Sequence, residues 1–260
     1  MKNIGLDKIN VYGSRFETGF GYSEIVKLKL DGETYLPVVS GLVNVFGVPF
    51  DKRDSENIFC SIVSKKNFVE FYSKCDLKKS DSWILGATTL RVGESIWGTF
   101  TGPNLGKIKN YKKLKTKIDY KLKIKRGFGD FAYDLWLTKS RNFGKADKDT
   151  VEIMIVLEKN FNNFLGEVIE ETEEFQVRYQ LKENKSDGVD NGHTFAFILK
   201  NKKLREFDIL KLVNYCERKL KKKLGNYHLR SIDLVNEFSY NTEMKVDLKK
   251  LSMGMEKKLK

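Results

Sequence analysis

The chain has 260 residues, 40% of them hydrophobic and 12% aromatic, with three cysteines and a net charge of +13. Eighteen Phe and eleven Tyr exclude a disordered chain, which lacks the apolar side chains needed to bury a core, and the length suits one large domain. The positive balance invites an anionic partner, but the lysines fall in short scattered clusters with no zinc-finger, RNP1 or arginine-rich pattern, so nucleic acid is not the favoured partner.

In chain order, the opening MKNIGLDKIN carries no apolar segment of the signal-peptide kind. No run of eighteen apolar residues follows anywhere, so no membrane partner is expected. The chain is expected to be cytoplasmic, or secreted if a leader has been removed. Alternating or β-rich runs predict strands at Glu24–Leu30, Val38–Val48, Ile58–Val63, Ser82–Thr89, Ser95–Thr101, Ile118–Ile124, Phe131–Thr138, Val151–Leu157, Phe175–Leu181, Thr194–Leu199 and Tyr227–Val235. Turn-formers such as Asp31-Gly32, Ser186-Asp187-Gly188 and Asp190-Asn191-Gly192 separate many of them. Short strands with turns between them predict an all-β sandwich or barrel. One segment breaks the rhythm: between Asp208 and Gly225, apolar residues at 209, 212, 213, 216, 220 and 224 form a helical stripe, with Asp208 as N-cap and Gly225 as C-terminal cap. The tail 246–260 is expected to be a short helix or frayed. Cys60, Cys75 and Cys216 show no metal-ligand spacing and are expected as free thiols, although Cys60 and Cys75 could pair.

Three acids sit oddly in this pattern. In the strand TVEIMIVLE (150–158), Val151, Ile153, Ile155 and Leu157 form one apolar face, while Glu152 shares the other with Met154 and Val156. Asp134 lies in FAYDLWLT (131–138) on the face of Ala132, Trp136 and Thr138, and Glu237 follows the strand at 227–235. The turn-rich connection 139–149 would make the strands of Asp134 and Glu152 antiparallel neighbours with both carboxyls on one side. An isolated buried carboxylate costs several kcal/mol, and two close together raise the pKa of one. Such pairs suit chemistry at a sugar acetal carbon. Taken singly, a Glu in a strand is more often an ordinary exposed residue. His193, in a predicted turn, and His228, on a strand, are too isolated to suggest a triad or a metal site.

The segments GDFAYDLWLTKS (129–140) and DTVEIMIVLEKN (149–160) resemble the central signature of glycoside hydrolase family 12. The helix and following strand in 205–240 are similar to that family's single helix and last strand, and FGVPF (46–50) is similar to an element of archaeal members. The resemblance implies a β-jelly-roll sandwich of two antiparallel sheets over 1–260, forming one catalytic domain and expected to be a monomer. It implies endo-hydrolysis of β-1,4-linked glucans with retention, with no metal or cofactor. By resemblance, Glu152 is the nucleophile, Glu237 the general acid/base and Asp134 the neighbour that modulates the nucleophile. Trp136, Met154 and Val156 line the substrate cleft, Val156 standing where the family has Trp. Two other functions stay open: a non-catalytic carbohydrate-binding protein on the same fold, and a basic polyanion binder.

Overall fold

Alternation in the sequence becomes strands wherever one face can be buried. The computed structural model describes residues 10–13, 20–26, 39–45, 57–65, 68–77, 84–94, 96, 104–141, 147–161, 165–182, 192–201 and 205–258, the first three stretches by backbone alone. In chain order the strands are β1 (Asn10–Gly13), β2 (Phe20–Val26), β3 (Val39–Val45), β4 (Ile58–Ser64), β5 (Val69–Cys75), β6 (Gly86–Gly93), β7 (Tyr111–Arg126) and β8 (Gly129–Thr138). There follow β9 (Val151–Lys159), β10 (Glu167–Glu171), β11 (Phe175–Lys182), β12 (Gly192–Leu199) and β13 (Glu206–Asp208). Helix α1 (Ile209–Leu220) then leads to β14 (His228–Phe238) and β15 (Thr242–Lys257).

Two sheets result. The six-stranded sheet has the order β1-β4-β5-β15-β7-β13, and the nine-stranded sheet β10-β11-β12-β9-β8-β14-β6-β3-β2. Every described pairing is antiparallel except β12 on β9. The core lies between the sheets: Phe131, Tyr133, Leu135 and Leu137 of β8, Val151, Ile153 and Ile155 of β9, and Ile232 and Leu234 of β14 are fully buried there. They meet Ile62, Phe71, Leu114, Ile118, Val246 and Leu248 of the other sheet. Asn236 Nδ2 ties the layers together, donating to Ser73 Oγ at 3.0 Å and Thr88 Oγ1 at 3.2 Å.

The architecture is the expected β-jelly-roll sandwich, with several local differences. The tail is neither helical nor frayed: 242–257 is a strand pairing with both β5 and β7. A register shift between Leu248 and Lys250 breaks its period-two pattern, so Val246 and Leu248 face the core in one phase and Leu251 and Met253 in the other. Helix α1 begins as expected, Asp208 Oδ1 accepting from the Lys211 N–H at 3.3 Å. It ends earlier than expected, at Lys221, which takes the left-handed conformation (φ 53°) that closes the helix. Gly225 instead lies in a short 3₁₀ turn, its N–H bonded to Glu217 Oε2 at 3.1 Å. β1, β5, β10 and β13 carried no expectation, and His193 lies in a strand rather than a turn. Most of the strand expected at Ser95–Thr101 falls outside the described residues, as does FGVPF.

The lysines of β7 have a structural explanation. β13 pairs only with Lys115–Lys117, so the rest of β7 from Ile118 onward forms an edge among the described strands. Lys121, Lys123 and Lys125 along it discourage edge-to-edge pairing with another chain.

Candidate active site

The face of the nine-stranded sheet that points away from the core is set by the alternation that buries the other face. Because directly paired residues share a face, its side chains fall into rungs across neighbouring strands. The first rung reads Thr194, Glu152, Trp136 and Ser231, from β12 through β9 and β8 to β14. The second reads Ala196, Met154, Asp134, Asp233 and, on β6, Arg91. The third is Ile198, Val156, Ala132, Val235 and Thr89. A bulge in the β8–β9 pairing shifts the fourth, which is Lys159, Asp130, Glu237 and Ala87.

Five of the six residues expected to form a site are therefore close together: Glu152, Trp136, Asp134, Met154 and Val156 occupy the first three rungs. Glu152 and Asp134 lie on diagonal positions of paired strands, each 6% exposed. Thr194 Oγ1, from the parallel neighbour, donates to Glu152 Oε2 at 2.8 Å. Trp136 is half-buried in the rung of Glu152.

Glu237 is on the same face but not beside them. It pairs with Asp130, whereas Glu152 pairs with Trp136, six positions along β8. At about 3.3 Å per residue and 4.8 Å per strand, ideal spacings give about 22 Å between the Cα atoms of Glu152 and Glu237. Alternation fixes which face a side chain takes. It leaves the sliding register between distant strands open, and this is where the sequence expectation and the structure part.

Four charged groups escaped the sequence reading. Asp233 faces Asp134 across β14 and β8 and is gripped by Arg91, with Nε–Oδ1 2.8 Å, Nε–Oδ2 3.0 Å and Nη2–Oδ2 2.6 Å. Asp130 is fully buried and faces Glu237. Lys159 is the fourth, paired with Asp130. Burial, reinforced by the charge of Asp134, pushes the Asp130 carboxyl well above the ordinary carboxylate range, against the opposing pull of its contact with Glu237 and of Lys159. Burial, and then the charge of Arg178, pulls Lys159 below the usual lysine value. The signal for two of these was present: Asp130 and Asp233 stand four residues before Asp134 and Glu237, in phase with them along their strands.

Between the two acidic ends lies an apolar floor. Ala132, Met154, Val156, Ala196 and Val235 form their own buried cluster, with Phe161, Leu165 and Ile198 packed against it. Phe161 and Leu165 belong to the connection between β9 and β10. Arg178 anchors that connection through Nε–O bonds of 3.1 Å to Leu165 and 3.2 Å to Gly166, with Nη2 2.7 Å from Gly166 O.

A second polar constellation surrounds His193. Its Nε2 lies 3.0 Å from Lys222 Nζ, a donor, so Nε2 accepts and Nδ1 carries the proton toward Tyr179 Oη at 2.9 Å. Lys222 also donates to Asp149 Oδ1 at 3.0 Å. This chain fastens the segment after α1 to β12. Among the described residues no group of three or more His, Cys, Asp or Glu is placed to hold a metal ion, and no helix is long and apolar enough to cross a membrane.

No family model and no curated relative matches the sequence. Solved structures do match. An endoglucanase, cel12A from Rhodothermus marinus, superposes with a TM-score of 0.70 at 14% identity, over 96% of this chain and 100% of the other. A family 12 xyloglucanase from Bacillus licheniformis gives 0.65 at 15% identity, over 83% and 93%. A family 11 xylanase from Neocallimastix patriciarum gives 0.60 at 10%, over 95% and 100%. These likenesses establish the fold: the chain is a two-sheet β-jelly-roll sandwich of the kind seen in those glycoside hydrolases.

Proposed function

We propose that the protein is a family 12-like glycoside hydrolase acting on β-1,4-linked glucans, with Glu152 as its nucleophile. The observation that carries this reading is the grouping of Glu152, Asp134, Trp136 and Met154 on the outer face of a sheet whose fold superposes on family 12 enzymes. In a retaining reaction an ionised Glu152 attacks the anomeric carbon while a second carboxyl protonates the leaving oxygen and later deprotonates water. Thr194 fixes the direction of the Glu152 carboxylate. Asp134, diagonal to it, is placed to modulate it, and Trp136 offers a ring face for sugar stacking. Met154 and Val156 form the floor. The sequence resemblance implies Glu237 as the proton donor, but the described register holds it about 22 Å from Glu152 between Cα atoms, beyond the reach of one glycosidic bond. Asp233 is the alternative, about 12 Å from Glu152 between Cα atoms by ideal spacings, although both of its oxygens are engaged by Arg91.

One observation favours a second reading, a sugar-binding protein without catalysis. A retaining pair needs carboxyl groups about 5–5.5 Å apart, and the register sets Glu152 and Glu237 much farther apart along the sheet. The polysaccharide partner is common to both readings. Reducing-sugar release from soluble β-glucan, xyloglucan and mannan by the wild type, Glu152→Gln, Glu237→Gln and Asp233→Asn separates them. The hydrolase reading expects release by the wild type and its loss in Glu152→Gln. Retention on a glucan column without any release would support the binding protein.

A further inference from the structure

Asp130 is the most deeply buried acid on the outer face, and its surroundings pose a problem of hydrogen-bond satisfaction. Its residue exposure is 0%, and neither carboxyl oxygen meets a donor. Its paired neighbour across β14 is Glu237, whose carboxyl lies within hydrogen-bonding range. Two ionised carboxylates are both acceptors and cannot bond to each other. With one proton between them, the same contact becomes a short, strong hydrogen bond and Asp130 is no longer orphaned.

We propose that Asp130 is a positioning residue for Glu237, the two carboxyls holding a single proton between them. The charged groups around the pair are consistent with one negative charge rather than two. Lys159 of β9 pairs with Asp130, and Arg178 of β11 lies near Lys159. Asp134 of β8 adds a negative charge that opposes a second ionisation, while Asp233, in phase on β14, is neutralised by Arg91. β6 contributes only Ala87 at the position paired with Glu237.

The role of the pair in catalysis rests on reading Glu237 as the acid. There, the pair's single proton moves from Glu237 to the leaving glycosidic oxygen as the C–O bond breaks, leaving both carboxyls ionised beside Lys159 until a proton returns. The incoming water gives its proton back to the pair as its oxygen bonds to carbon. Because loss of the shared proton leaves two adjacent anions, the pair holds that proton to higher pH than a solitary carboxyl would.

The test is a carboxyl ¹³C NMR titration of the full chain. In the wild type, the Asp130 and Glu237 signals should each move at both of two midpoints, the upper well above the ordinary carboxylate value of about 4. Independent single-step titrations of the two groups would overturn the proposal, and this arm needs no variant to fold. In Asp130→Asn the upper midpoint should vanish and Glu237 should titrate lower, while an exposed control, Glu173→Gln, changes neither. A Glu237 titration unaltered by Asp130→Asn would also overturn it. If glucan is hydrolysed, the alkaline limb of the kcat profile should shift to lower pH in Asp130→Asn. A coupled titration in a protein that hydrolyses nothing would refute the hydrolase reading and leave the shared proton standing.

Discussion

Thr194 Oγ1 reaches Glu152 Oε2 at 2.8 Å from the one parallel neighbour in the described sheet, β12 on β9. Both groups are buried, the threonine at 2% and the glutamate at 6% exposure. A hydrogen bond to a charged group is worth about 1.5–3 kcal/mol. Thr194→Val keeps the shape and removes the donor, so urea unfolding should show a stability loss of about that size. In the hydrolase reading kcat should fall by more than KM rises, since the bond aims the nucleophile rather than holding substrate.

The Arg91–Asp233 pair has side-chain exposures of 11% and 3%. Removing one partner from a buried pair strands the other charge and costs about 3–5 kcal/mol. Arg91→Met should therefore lower the urea midpoint sharply, and the double variant Arg91→Met/Asp233→Leu should recover most of the loss. Equal damage in single and double variants would show that packing, not charge, is what the pair contributes.

His193 supplies a pH-dependent link between β12 and the segment after α1. Burial, followed by the Lys222 charge, lowers its pKa below the ordinary value, Asp149 opposing. Folding thus favours the neutral ring, and between the folded and unfolded values the unfolded chain binds more protons. Stability from this contact is fully present above the unfolded value of about 6.5 and declines as pH falls through 6.5 toward the lower folded value. The melting temperature should drop between pH 7.5 and 5, and the drop should shrink in His193→Gln.

The three cysteines are free and buried. Cys60 pairs with Ser73 and Cys75 with Ile58, so the two thiols are diagonal neighbours on one face without being bonded. Burial pushes all three thiols above their ordinary value, which leaves little thiolate to react. Ellman's reagent should find almost no reactive thiol in the native protein and three per chain in denaturant.

Much of the fold was legible because alternation of apolar residues is dictated by burial on one side of a strand. Phe131 to Leu137 and Val151 to Leu157 show it plainly, and α1 is just as clear in its helical stripe. β15 was illegible because its bulge resets the phase at Leu248–Lys250, which leaves LKKLSMGMEKK looking helical or frayed. The end of α1 was misplaced because Lys221, not a glycine, takes the positive φ. For the site, hairpin neighbours could be read: Asp134 and Glu152 share a face because a short connection joins β8 to β9. The β8–β14 register could not, since a helix and several strands intervene in the chain, and it is this register that sets Glu237 against Asp130.

The most direct test of the account is reducing-sugar release from soluble β-glucan by the wild type and by Glu152→Gln at matched concentration and confirmed folding. Steady release is expected from the wild type, with a fall of at least about a thousandfold in the variant, the scale expected when a covalent nucleophile is removed. Release that continues unchanged in Glu152→Gln would contradict it.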